Sequence, residues 1–123
     1  MLYMLMINYD PTQPFQGPIL AKEHAALETD LRERGLFVDG AGLMPVEATG
    51  GLRVRNGETL RTDGPFAETK EALGGYYMVD CDEAEALRIA ACIPVEKRSW
   101  VDVRQVALFH PNVERIAAMV QRT

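Results

Sequence analysis

Thr62-Asp63-Gly64-Pro65-Phe66-Ala67-Glu68-Thr69-Lys70-Glu71-Ala72-Leu73-Gly74-Gly75-Tyr76-Tyr77-Met78-Val79-Asp80 is the stretch that decides the architecture. Asp63 ahead of Gly64-Pro65 can fold back on backbone amides as an Asx turn, and Pro65 fixes its own φ, so the stretch opens on a pre-shaped turn. Gly74-Gly75 then leads into an apolar strand, Tyr76 to Val79. Upstream, Leu52-Arg53-Val54-Arg55 and Glu58-Thr59-Leu60-Arg61 flank Asn56-Gly57, a tight-hairpin signal that pairs Arg55 with Glu58. Downstream, Asp82 and Glu85 have the spacing of an N-cap and its capping-box partner. The helix they open runs through Leu87, Ala90 and Ala91 and stops near Ile93, because Pro94 disfavours helical geometry in the residue before it.

Further out, residues 2 to 9 are apolar on both alternating sets: Leu2, Met4 and Met6 point one way, Tyr3, Leu5, Ile7 and Tyr9 the other. A strand of that kind is covered on both faces. The chain's own helices can cover one, and a second copy of the molecule is the nearest supplier for the other. Asp10 to Gly17 is a loop, punctuated by Pro11, Pro14 and Gly17. Pro18 suits the first turn of a helix and Gly35 its left-handed cap. Between them Leu20, His24, Leu27 and Leu31 fall on one stripe, which turns His24 toward the sheet, while Lys22, Glu23, Glu28, Arg32 and Glu33 take other faces. Leu36 to Pro45 reads as a second strand, weakened or bulged by its glycines. Trp100 to Phe109 reads as the last long strand, with Val101, Val103 and Ala107 on one face and Trp100, Asp102, Arg104, Val106 and Leu108 on the other. His110 or Asn112 can cap a final helix.

The order is β-α-β, a hairpin, β-α-β and a terminal helix, which predicts one domain over 1–123 with a hairpin insertion at about 51–62 and a C-terminal helix at about 112–121. Two split β-α-β units make an α+β, ferredoxin-like antiparallel sheet with helices on one face.

Composition bounds the function. A chain of 123 residues, 47% hydrophobic and 25% charged, is ordinary for a globular domain. Its net charge of −5 argues against nucleic acid or an anionic membrane as the main partner. The apolar start lacks a cationic leader and is too short to span a bilayer. Cys81 and Cys92 have no metal or redox spacing and read as buried free thiols of a cytoplasmic protein. No dinucleotide, phosphate-loop, serine-elbow or zinc motif occurs, so no cofactor and no metal is expected.

Several residues carry chemistry. His24 on an inward face is either a core histidine bonded to a carbonyl or a general base, since its ordinary pKa near 6.5 lets small shifts set its charge. Asp102 and Arg104 share one strand face and form either a structural ion pair or part of a site. Asp63, Glu68 and Lys70, beside a Gly-Gly that admits close backbone approach, are either solvated loop charges or ligand-binding groups. The acidic run Asp80, Asp82, Glu83 and Glu85 is what a helix N-terminus favours.

Asp63-Gly64-Pro65-Phe66, together with Val54-Arg55-Asn56-Gly57, Leu73-Gly74-Gly75-Tyr76-Tyr77, Ile93-Pro94 and Val101-Asp102-Val103-Arg104, resembles the DGPF branch of the YCII-related (YciI-like) family over roughly residues 1 to 108. The resemblance implies a dimeric α/β barrel, in which two ferredoxin-like sheets face each other, a fold similar to muconolactone isomerase and small antibiotic-type monooxygenases. It also implies a helix histidine paired with an aspartate as a suggested active site. His24 matches by position, but Ile93-Pro94 stands where an Asp-Pro partner is expected, which leaves Asp39, Asp63 or Asp102 to substitute. Ser99, Trp100 and Gln105 depart from the usual ending of the branch. Relatives beside or fused to extracytoplasmic-function sigma factors imply a regulatory alternative.

The sequence thus predicts a homodimer that binds a small polar or anionic molecule, with cofactor-free acid–base chemistry at His24 and ligand contacts from Asp63, Glu68, Lys70, Asp102 and Arg104. The alternative is a non-catalytic sensory module acting with a sigma factor or another protein partner.

Overall fold

The central strand is β1 (Leu2–Tyr9), antiparallel to β5 (Ala72–Asp80) on one side and to β6 (Ser99–Gln105) on the other. This computed structural model describes residues 1–12, 20–45, 50–64 and 71–121. β5 pairs in turn with β2 (Phe37–Gly42), giving the order β2-β5-β1-β6. Helix α1 (Ala21–Glu33) links β1 to β2, and α2 (Glu83–Cys92) links β5 to β6. β3 (Gly50–Arg55) and β4 (Glu58–Asp63) form a separate two-stranded sheet inserted between β2 and β5, and α3 (Val113–Gln121) ends the described chain. With the hairpin set aside this is the all-antiparallel ferredoxin-like order, as the element pattern predicts.

Alternation along β1 decides which face is the core. Tyr3 and Leu5 are buried with Tyr77, Val79, Leu31, Ala86, Ile89 and Ile93, so α1 and α2 seal that side. Leu5, Leu31 and Val79 are 0% exposed. Each such side chain contributes about 1.5–3 kcal/mol by leaving water, more than the roughly 0.5–1 kcal/mol of rotamer entropy that fixing a leucine costs. Leu2, Met4, Met6 and Asn8 point to the other, open face, beside Met78, Tyr76, Trp100, Asp102 and Arg104 in the paired registers.

The helix ends obey the local sequence. Gly35 takes φ +70°, Leu36 N–H donates to Leu31 O at 2.9 Å and Gly35 N–H to Arg32 O at 3.0 Å, the two bonds of a Schellman cap. Pro18 lies outside the described residues; the described helix begins at Ala21 with no side-chain cap from Leu20. Asp82 caps α2 by accepting from Glu85 N–H at 2.8 Å. The reciprocal half of the capping box is missing, because the Glu85 carboxylate is engaged by Arg34 and Arg88. α2 stops at Ile93 as Pro94 requires. Asn112, not His110, caps α3, accepting from Arg115 N–H at 2.9 Å. In the hairpin Asn56 and Gly57 both take positive φ, 52° and 77°, and Arg55 faces Glu58.

Three expectations need correction. β6 stops at Gln105 rather than Phe109, because its partner among the described strands, β1, begins at Leu2; the last contact is Val106 N–H to Leu2 O at 2.9 Å. β5 starts at Ala72 rather than Tyr76, so Gly74-Gly75 lies inside the strand, and a bulge leaves Gly74 unpaired between the Ile7–Gly75 and Asn8–Leu73 pairs. Cys92 is exposed and Cys81 half-buried, both free, so neither is a fully buried thiol.

The approach of β2 to β5 leaves no room at Gly75, where a Cβ would lie 2.7 Å from the Ala41 carbonyl oxygen and 3.3 Å from Gly42 Cα. Both are backbone atoms and cannot swing aside. Gly75→Ala is therefore expected to lower stability by roughly 1–3 kcal/mol. Gly42→Ala, whose Cβ meets nothing within 4 Å, should stay within about 0.5 kcal/mol of the parent. Urea unfolding of both variants checks this; equal midpoints for the two would contradict it.

Candidate functional site

Glycines clear a space under α1. Gly40 and Gly42 on β2 and Gly75 on β5 fall on the helix-covered face of the sheet, by their register with Tyr77 and Ile7. A cavity of about 460 Å³ opens there, with His24, Ala25 and Glu28 on the helix side and Ile7, Phe37 and Tyr77 on the sheet side. That volume suits a small organic molecule.

His24 forms one wall. Its Nδ1 lies 2.7 Å from the Tyr77 hydroxyl, and the two rings stack at 5.9 Å with an 18° interplanar angle. Burial pushes the imidazole below its ordinary pKa; the Glu23 charge and a hydrogen bond to the Pro94 carbonyl oppose that shift. Pro94 can only accept at its carbonyl, so with Nδ1 facing Tyr77 the imidazole proton sits on Nε2. Nδ1 is then an acceptor, and the Tyr77 O–H donates to it. The competing acceptor, the His24 carbonyl oxygen, is 3.5 Å away, too far to win. Burial, and next the charge of Glu28, push the Tyr77 phenol above its ordinary pKa.

Glu28 is half-buried at the cavity wall one helical turn beyond His24. Arg32 stands 3.8 Å from its carboxylate and lies over the Phe37 ring at 4.5 Å.

The other sequence-predicted residues do not join this site. Asp102 and Arg104 lie on the open face, across from Met6 and Met4, and both are exposed. Asp102 accepts from Asn8 Nδ2 at 2.8 Å; the pair is therefore not the buried Asp102–Arg104 ion pair that shared burial would demand. Asp63 is exposed at the end of β4 in the hairpin sheet. Glu68 and Lys70 lie outside the described residues. None of the three candidate aspartates meets His24: Asp39 accepts from the Tyr76 hydroxyl at 3.0 Å, Asp102 takes Asn8, and Asp63 stays at the hairpin. Burial, with the bond to Asp39, raises the Tyr76 phenol.

Tyr77 and Glu28 were not singled out by sequence. The signal for Glu28 was its i+4 spacing from His24, outweighed by the habit of placing a carboxylate on a solvent face. Among the described residues no cluster of three or more His, Cys, Asp or Glu side chains can hold a metal ion. Asp82 and Glu85 of the acidic run serve the α2 cap and the arginine contacts. No helix among the described residues is long and apolar enough to cross a membrane.

Residues 1–110 match the model of the YCII-related domain, and the chain belongs to that family. It is also similar to an uncharacterised protein of Rhizobium meliloti (strain 1021), 39% identical over 94 residues, covering 74% of this chain and 76% of that protein.

Two measurements probe the His24–Tyr77 couple. With a folded-state pKa below its unfolded value, His24 binds a proton more readily in the unfolded chain, so stability is expected to fall as pH drops through about 6.5. Urea midpoints across that window should fall less in His24→Gln than in the parent. Removing the donor to Nδ1 in Tyr77→Phe should raise the His24 pKa, read by NMR titration against His110, the other of two histidines. A lower pKa in that variant would reverse the assigned direction of the hydrogen bond.

Proposed function

We propose that the chain binds a small polar organic molecule between α1 and the glycine floor of β2 and β5, and moves a proton on it without a cofactor. The observation that carries this reading is the His24–Tyr77 couple at the wall of an open cavity. In the forward step a proton leaves the ligand for Tyr77 Oη while the phenolic proton passes to His24 Nδ1. The result is an imidazolium, still bonded to Pro94 through Nε2, beside the Glu28 carboxylate. Reversal returns a proton to the ligand. Neither Asp102 nor Arg104 has a part in this step.

A non-catalytic, ligand-sensing role is the second reading, favoured by the occupation of both imidazole nitrogens in the resting chain. A slow proton step with intact binding would select it.

The chain acts as a homodimer in this proposal, its open face covered by a second copy. Support comes from the partly exposed Leu2, Met4 and Met6, from Trp100 at 37% exposure, and from α3, which has no buried residue and exposes Val113, Ile116 and Met119. Apolar side chains left exposed on a sheet face and on a helix are the kind of surface a partner covers. Asp102, Arg104 and Asn8 then become polar groups of the interface. Two free thiols fit a reducing compartment, and we assign the chain to the cytoplasm.

Small molecules extracted from the purified parent and from Gly42→Leu, compared by mass spectrometry, test the binding site. Leucine at that position fills the cavity without a backbone clash, so the parent should carry a species that the variant lacks. The same set from both would remove the reading. Light scattering tests the dimer separately: twice the 13.7 kDa chain mass is expected, and a particle of a single chain mass would contradict it.

A further inference from the structure

We propose that the molecule taken into the α1 cavity is a flat hydrogen-bond donor, an amidine, amine or amide, rather than a carboxylate or phosphate. This deepens the ligand-binding reading above and rests on it.

Among the described residues, the polar side chains that face the cavity have their protons already committed. His24 uses Nε2–H on the Pro94 carbonyl and Nδ1 to accept from Tyr77. Tyr77 spends its one proton on that bond and keeps only Oη lone pairs. The Glu28 carboxylate offers acceptor oxygens. Among the described residues its paired cation is Arg32, 3.8 Å from Oε1 and beyond hydrogen-bond distance, with the guanidinium over Phe37. The carboxylate therefore has open acceptor positions. Tyr76 borders the cavity but turns its side chain to the open face, where its hydroxyl proton goes to Asp39.

These side chains thus offer lone pairs and a negative charge and withhold every proton. An anion placed there would meet Glu28 with no side-chain donor turned into the cavity among the described residues, and repulsion at close range would disfavour it. An N–H group meets acceptors at both Glu28 and Tyr77. Shape adds a second condition: at Gly42, where a Cβ would meet nothing within 4 Å, the strand presents bare backbone beside the Phe37 ring that covers Gly40, surfaces against which a planar body can lie.

Benzamidinium and benzoate, matched in size and opposite in hydrogen-bonding sense, are the probes. Binding to the full chain is followed by chemical-shift perturbation at neutral pH, with Glu28→Gln and Gly42→Leu alongside. Benzamidinium is expected to bind, to shift the resonances of His24, Glu28 and Gly42, and to lose about tenfold in affinity in Glu28→Gln. Glu28 is half-buried and its pair with Arg32, at 3.8 Å, is a solvent-screened pair on the helix surface, so that variant should fold. Benzoate bound at the same residues as tightly as benzamidinium, or benzamidinium affinity unchanged in Glu28→Gln while Gly42→Leu abolishes it, would overturn the donor assignment and leave the cavity standing as a site. Failure of both probes to shift cavity residues in the parent, with Gly42→Leu indistinguishable from it, would remove the site and the assignment together.

Discussion

Two backbones approach each other so closely at Gly75 and Ala41 that no side chain fits between them, and the rest of the site depends on this contact. A Cβ at Gly75 would sit 2.7 Å from a carbonyl oxygen. Because the edge strand β2 is held against β5 with nothing projecting from Gly75, Gly40 or Gly42 toward the helix, α1 bridges a gap it cannot fill. The core proper, Leu5, Val79 and Leu31, lies deeper under the helices and secures the sheet. Stability and vacancy are thus divided along one sheet: aliphatic residues seal it toward one end and glycines open it toward the other.

Much of the fold could be read from the chain because its decisive features are local. The alternation of β1, the Asn56-Gly57 turn, the Gly35 cap, the Asp82 cap and the stop before Pro94 each depend on residues a few positions apart. Strand lengths were harder, since a strand ends where its neighbour ends; nothing near Val106 announces that Leu2 is the limit of its partner. Site composition was harder still. His24 was legible from helical spacing, but its partner depends on which of two adjacent tyrosines turns toward the helix, and that follows from a register set across the whole sheet. Asp102 and Arg104 were attractive because they are ionisable on an apolar strand, and the placement of that strand sends them to the opposite face. The glycines read as weak points of strands, whereas their effect is volume, a property of two strands together.

The sheet consequently has two chemical sides. Under α1 lies a small cavity with a hydrogen-bonded phenol–imidazole pair and a carboxylate. The other side carries methionines framed by Asn8–Asp102 and Tyr76–Asp39. Methionine is unbranched and fits irregular neighbours, and the framing polar pairs give this face fixed hydrogen-bonding positions beside it. Family membership is consistent with both sides, and fold alone assigns neither a reaction.

Neighbouring residues of β5 serve these two sides: Tyr76 gives its hydroxyl proton to Asp39 on one, and Tyr77 gives its own to His24 on the other. A one-residue slip of β5 would exchange them, carrying the Asp39-bonded phenol under the helix and exposing the histidine's partner. The bulge at Gly74 stands just ahead of this pair, so an inserted or deleted residue on its loop side can be absorbed before it reaches the tyrosines. Pairing register in this strand thus decides which phenol meets the imidazole, and the bulge at Gly74 lies where a shift in register can be taken up ahead of the pair.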